Sequence, residues 1–182
     1  MSNNEKKPQS KPQARTKPGR TLLVKPSAGN FSVSIFDELT GLTSKHHIEK
    51  TDSHFLTFTT SKDALEALKK LKNTKNARVK FAQYRIFFKM EGLTDSADYN
   101  AIKLAHTTLV KNIGGDVLYY RLYRKDNKFL GCGDMTVDTK DSFDKLLSAA
   151  EDNTGLKQFK LDDVSGTHFR YKKTDNNQTE AE

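Results

Sequence analysis

Three stretches of the chain alternate rings and cations with apolar residues. In Tyr84–Met90, Arg85, Phe87 and Lys89 interleave with Tyr84, Ile86, Phe88 and Met90. In Val117–Arg124, Tyr119, Arg121 and Tyr123 interleave with Leu118, Tyr120 and Leu122, and in Thr167–Lys172, His168, Arg170 and Lys172 interleave with Phe169 and Tyr171. Successive side chains of a strand point to opposite faces, so burying the second set of each stretch sends the first set to solvent. A face that mixes rings with cations can stack planar bases, at about 1–3 kcal/mol each, while its cations offset phosphate charge. Single-stranded nucleic acid is the ligand that such a face fits. An ordinary antiparallel sheet with scattered Tyr and a solvated basic face uses the same residue types, so parity decides between the two.

The first half offers less of this chemistry. Burying Leu56 and Phe58 exposes Ser53, Phe55 and Thr57, and burying Val79 and Phe81 exposes Arg78 and Lys80. From Lys69 to Lys89 there are eight cations and no acid, a stretch that favours phosphate contact over a solvated face of mixed sign.

Other reactive types point nowhere in particular. His46-His47 with His54 suggest a metal, but adjacent residues of a strand face opposite ways and no Cys or acidic ligand cluster supports them, so no metal or other cofactor is expected. Cys132 lies beside Asp134, which raises a thiol pKa and makes a poor nucleophile. Gly114-Gly115 and Gly131/Gly133 lack the strand-to-helix context of a phosphate loop. The expectation is a binding protein, not an enzyme.

The whole chain agrees with a polyanionic partner. Its 182 residues carry 31 Lys and Arg against 23 Asp and Glu, a net charge of +8, with a pI near 9.4. Mean hydropathy is −0.75 although 11 Phe and 6 Tyr are present, so polar tails must dilute an ordinary core. Residues 1–20, with six cations against Glu5, are expected to be a disordered basic arm, and residues 174–182 a disordered acidic tail. No apolar run approaches the roughly 20 residues that span a bilayer, so no membrane partner is expected. A single cysteine, Cys132, excludes an intrachain disulfide and fits an intracellular location in the cytoplasm or nucleus.

The elements that must position these residues follow from periodicity. Thr21–Lys25 reads as a strand, and Phe31, Ile35, Leu39 and Leu42 recur at helical spacing, although Phe31, Val33 and Ile35 also alternate. Lys45–Lys50 and His54–Thr59 read as a hairpin, followed by a helix capped by Ser61 and a strand at Asn76–Phe81. The second half repeats the plan: a strand at Tyr84–Met90, a helix over Asp98–Ile113, a hairpin of Val117–Arg124 and Phe129–Val137, a helix over Asp141–Ala150, and a last strand at Thr167–Lys172. The class is α+β, with two ferredoxin-like βαββαβ domains in tandem over residues 21–82 and 83–173, joined by Ala82-Gln83 alone.

These halves resemble the RNA recognition motif family. The family's first-strand hexamer is matched by Ile86-Phe87-Phe88 and in part by Leu22-Leu23-Val24. Its third-strand octamer is matched over its last six positions by Ser53-His54-Phe55-Leu56-Thr57-Phe58, with Ser53 where the first ring should be, and by Leu130–Val137, where both glycines remain and Cys132 and Asp134 stand in place of the two stacking rings. The resemblance implies binding of single-stranded RNA across each sheet, with Phe55 and Phe87 as the retained rings. With the alternation argument it yields one expected contact set: Phe55, Arg78, Lys80, Arg85, Phe87, Lys89, Tyr119, Arg121, Tyr123, His168, Arg170 and Lys172. Single-stranded DNA and protein partners fit the same face. The alternative is a structural or protein-interaction module, such as a virion or ribonucleoprotein component, that uses the basic arm on nucleic acid without sequence choice.

Overall fold

The first sheet is built from β1 (Thr21–Pro26), β2 (Leu42–Ile48), β3 (Ser53–Phe58) and β4 (Ala77–Phe81), with α1 (Ser61–Lys72) on one face. The computed structural model describes residues 17–27, 31–74, 76–148 and 156–171. The arm as far as residue 16, Lys75, residues 149–155, Lys172 and the acidic tail lie outside the described residues.

The four strands are antiparallel in the order β2-β3-β1-β4. Leu22 and Val24 of β1 share a face with Leu56, Phe58 and Val79, and α1 covers it with Ala64, Ala67, Leu68 and Leu71. Fully burying such aliphatic and aromatic side chains stabilises by about 1.5–3 kcal/mol each, which outweighs the weak propensity of a 12-residue helix on its own. Its cap is Thr60, not Ser61. The Thr60 hydroxyl accepts from the Asp63 N–H at 3.1 Å and donates to Asp63 Oδ2 at 2.7 Å, satisfying an N–H that the first turn leaves free.

The helix expected between Phe31 and Leu42 does not form. A 3₁₀ turn over Val33–Glu38 replaces it and drops Phe36 and Leu39 onto the sheet. The Ser32 and Ser34 hydroxyls bond to each other at 2.6 Å, the local side-chain chemistry that competes with a regular helix. Gly41, at φ 74°, then turns the chain into β2 three residues earlier than the sequence suggests.

The second half contains β5 (Tyr84–Glu91), α2 (Tyr99–Asn112), β6 (Val117–Lys125), β7 (Lys128–Val137), α3 (Lys140–Leu147), β8 (Gln158–Leu161) and β9 (Val164–Arg170). Its antiparallel sheet runs β6-β7-β5-β9-β8. Counted from its own first strand, it repeats the order of the first sheet and adds one edge strand, β8, which periodicity did not indicate. Ile86, Phe88, Tyr120, Leu122, Met135, Phe159 and Leu161 form its core with Ile102, Val110, Phe143 and Leu146 from α2 and α3. Gly133 is required where β7 crosses this core: a Cβ there would lie 2.1 Å from the Arg121 carbonyl oxygen and 2.6 Å from the Phe88 ring.

The halves are tied at the start of β1. Arg20 Nε donates to Asp138 Oδ2 at 2.5 Å and Arg20 Nη2 to the Gly114 carbonyl at 2.7 Å. Thr21 Oγ1 donates to the Asp138 carbonyl at 2.9 Å, and Asp138 Oδ1 accepts the Asp116 N–H at 2.8 Å. Asp138 is 1% exposed. Arg20, placed in the arm by composition, is thus held against the second half. Ala82, between the two sheets, is buried and its N–H donates to the Thr21 carbonyl at 2.9 Å.

Candidate nucleic-acid interface

The outer face of the second sheet follows from strand register. Phe87 on β5 stands opposite Asp134 on β7 and Phe169 on β9, and Asp134 in turn stands opposite Arg121 on β6. The Phe87 ring centroid lies 6.3 Å from that of Tyr123 and 6.2 Å from that of Phe169, so the three rings form a row across β6, β5 and β9. Cations border the row. Lys89 Nζ is 6.0 Å from the Phe169 ring, the Arg121 guanidinium is 4.7 Å from the Tyr123 ring, and the Arg85 guanidinium lies 3.9 Å over Tyr171.

Beneath the arginines lies Asp134, fully buried. Arg85 Nε and Nη2 approach its Oδ2 at 2.9 and 2.8 Å, and Arg121 Nε is 3.4 Å from Oδ1. Two flanking cations offset the desolvation of the carboxylate, and its charge fixes where both guanidiniums lie. Asp134 is therefore an anchor for the basic face, not a repulsive group upon it. The hydrogen bond with Tyr123 raises the Arg121 pKa further, and burial followed by Asp134 pushes the Tyr123 phenol up.

β9 reverses the parity expected of it. His168 pairs with Phe88 and points into the core, fully buried, whereas Phe169 is 38% exposed on the outer face. The physical reason is β8. Its Phe159 enters the core and stacks on His168 with centroids 4.3 Å apart, and a second buried histidine completes a polar chain. The Tyr120 hydroxyl is 3.1 Å from His106 Nδ1, His106 Nε2 is 2.8 Å from His168 Nε2, and His168 Nδ1 donates to the Leu156 carbonyl at 2.6 Å. These bonds close with both rings neutral: Tyr120 donates to His106, His106 donates through Nε2 to His168, and His168 donates through Nδ1. Burial pushes His168 down to about 4 and His106 well below the usual range. His168 is thus excluded from the surface. Arg170 leaves the outer face too, its guanidinium lying 5.3 Å from the Phe143 ring of α3.

The remaining expected residues divide into two places. Tyr119 stands opposite Thr136 beyond a register shift in β6 and borders the groove that Lys103 and Thr107 of α2 form with that strand. Phe55 stands opposite His46 and Leu23 on the outer face of the first sheet, and Leu23 pairs with Lys80 while Lys25 pairs with Arg78. Both of these cations are exposed. Ser53, expected outside, is 2% exposed and bonds back to the Thr51 carbonyl. The Phe55 ring is 6.0 Å from Tyr84, which is 5.8 Å from Phe143. Phe55 consequently looks into a cleft of about 440 Å³ between the halves, lined also by His46, Arg85 and Arg170. Sequence reasoning missed Phe169, Tyr171 and the anchoring of Asp134. The usable signal was Asp162-Asp163 between Leu161 and Val164, a hairpin turn in which Asp162 takes φ 50° and which fixes the parity of β9.

His47, Asp52 and His54 gather at the turn between β2 and β3. Asp52 is the acidic neighbour that the sequence reading did not connect with the histidines.

Both halves have the βαββαβ order, with a 3₁₀ turn standing for the first helix of the first half, and both sheets have the same strand arrangement with one face left open. The fold is that of two ferredoxin-like βαββαβ units in tandem. No family model and no curated protein matches the sequence. Among solved structures, the C. elegans NONO-1 homodimer is similar at 17% identity and TM-score 0.42, over 95% of this chain and 70% of that one. The N-terminal three RNA-binding domains of the yeast splicing factor Prp24 are similar at 15% identity and TM-score 0.34, over 84% and 64% of the two chains. The first two RNA recognition motif domains of the yeast poly(U)-binding protein Pub1 are similar at 15% identity and TM-score 0.31, over 85% and 100%. On the open face of the second sheet β7 supplies Cys132 and Asp134, and the rings beside Phe87 come from Phe169 of β9 and Tyr123 of β6. No described helix is long and apolar enough to cross a membrane.

Proposed function

We propose that this chain is an RNA-binding protein that engages single-stranded RNA on the open face of its second sheet. Bases stack on Tyr123, Phe87 and Phe169, and phosphates meet Lys89, Arg121 and Arg85. Phe55 and Arg170 in the cleft, with Arg78 and Lys80 along β4, extend the path over the first sheet. The observation that supports this reading is the ring row, with centroid spacings of 6.3 and 6.2 Å and cations along its border. Rings of this kind need bases freed from pairing, so single strands are favoured over duplex. The protein acts by binding and not by catalysis, within the cytoplasm or nucleus.

The test is a salt titration of binding to single-stranded and duplex forms of RNA and DNA, followed by fluorescence anisotropy. Single-stranded RNA should bind more tightly than duplex RNA of equal length, with single-stranded DNA nearer to the former. Equal affinity for duplex and single strand would overturn the stacking face and favour a module that contacts nucleic acid through its basic arm alone.

A further inference from the structure

We propose that the hairpin of β2 and β3 carries a binding site for one borderline transition-metal cation of the Zn²⁺ class, made by His47 Nε2, His54 Nε2 and the Asp52 carboxylate. His47 and His54 are direct cross-strand partners, so their side chains leave the sheet on the same side. Their rings stack with centroids 4.2 Å apart and planes 7° from parallel. Asp52, in the left-handed conformation at φ 42° and ψ 54°, closes the turn beside them. Its Oδ1 is 3.0 Å from His47 Nε2 and 3.6 Å from His54 Nε2, and one ligand atom from each of the three residues falls within 4.8 Å of the others.

Those separations suit a small cation. Tetrahedral Zn²⁺, at about 2.0–2.2 Å from nitrogen and oxygen ligands, requires ligand atoms about 3.3–3.6 Å apart. The two observed histidine–carboxylate distances, 3.0 and 3.6 Å, lie near that range, and metal binding requires the stacked rings to turn about their side-chain torsions so that both Nε2 lone pairs meet one ion. Two imidazoles and one carboxylate select Zn²⁺, Ni²⁺ or Cu²⁺ over Ca²⁺ and Mg²⁺, which demand oxygen ligands. Three protein ligands leave a fourth position for water or an exogenous group.

The surroundings prepare one ring in particular. Phe36 packs edge-on to His54 with centroids 5.2 Å apart, and the His54 side chain is only 14% exposed, so its rotamer is restrained. His46 points to the opposite face, toward Phe55, while His106 and His168 are buried in the second half. The site is thus separate from the proposed RNA face and does not depend on that reading.

The experiment is titration of the full chain with Zn²⁺ by calorimetry in a non-chelating buffer, with Co²⁺ absorption and histidine-resolved NMR as second readouts. One equivalent should bind, shifting the imidazole resonances of His47 and His54 and leaving those of His46. His47→Ala, at an exposed position, should abolish saturable binding with an unchanged circular dichroism spectrum. Asp52→Asn should weaken it, and His46→Ala should leave it intact. Mg²⁺ should give no binding. Failure of Zn²⁺ to saturate the wild-type chain, survival of binding in His47→Ala, or equal binding of Mg²⁺ would each overturn the site.

Discussion

Arg85 brings Nε and Nη2 to within 2.9 and 2.8 Å of a single oxygen of Asp134, a carboxylate with no exposure of its own. On a central strand that brings no ring to the open face, an acid would by itself repel phosphate. The buried contact gives Asp134 a different part: it holds Arg85 and Arg121 flat against the sheet between the rings.

Asp134→Asn therefore acts on stability and on electrostatics in opposite senses. Removing the charge from a buried pair costs about 3–5 kcal/mol when both partners are enclosed, but the arginine side chains are 38% and 53% exposed. The expected loss is accordingly nearer to about 1–2 kcal/mol in urea unfolding. RNA binding by the folded variant should show a salt slope steeper by about one unit, because a neutralising charge has left the face. A variant with unchanged stability and unchanged salt dependence would show that Asp134 does not anchor the arginines.

The ring row predicts three unequal alanine variants. Phe87 stands in the middle, against both Tyr123 and Phe169. Phe87→Ala should cost about 1–3 kcal/mol of affinity for single-stranded RNA, with Phe169→Ala and Tyr123→Ala at the lower end of that range. Arg121→Ala should mainly flatten the salt slope by about one unit. Anisotropy measured on all four would sink the row if Phe169→Ala bound as the wild type does, since β9 would then have no part in the face.

The buried histidine chain makes the second half sensitive to acid. His106 and His168 ionise near pH 6.5 when unfolded and well below that when folded, His168 at about 4. Between these values the unfolded state binds more protons, so stability rises with pH through this window and levels off above it. The slope should approach about 1.4 kcal/mol per pH unit for each histidine that titrates. Urea midpoints at pH 5 and pH 7.5 measure it. A higher midpoint at pH 5 would contradict a neutral buried pair.

What was legible in the sequence was local. β5 and β6 alternate bulky apolar residues against rings and cations, and β5, β6 and β7 each lie within a residue or two of their expected bounds. What failed depended on partners distant along the chain. β9 puts a histidine in the core and a phenylalanine outside, because His106, 62 residues away, offers a hydrogen-bond partner and Phe159 fills the adjoining space. Alternation read by hydrophobicity must invert such a strand. The 3₁₀ turn at Val33–Glu38 was ambiguous for another reason, since Phe31, Ile35 and Leu39 satisfy a helical spacing while only Phe36 and Leu39 are needed to cover that end of the sheet. The convergence of His47 on His54 is a matter of hairpin register, which neighbouring residue types do not reveal.

The last prediction concerns the connection between the sheets. Phe81 ends the first and Tyr84 begins the second, with Ala82 buried and bonded to Thr21 between them. A short connection alone would restrict the halves, but Arg20 and Thr21 on Asp138 and the Phe55–Tyr84 contact add fixed points of their own. A Gly/Ser insertion of about ten residues after Ala82 should therefore lower affinity for long RNA only partly, because those contacts keep the effective concentration of the second surface high. Combined with Asp138→Ala, which removes the carboxylate that binds Arg20, the same insertion should lower it further, while an oligonucleotide that covers the Tyr123–Phe87–Phe169 row alone binds as before. Anisotropy with both lengths separates the effects. If the combined variant keeps wild-type affinity and salt dependence on long RNA, the path through Arg78, Lys80 and the Phe55 cleft carries none of the binding, and the second sheet acts alone.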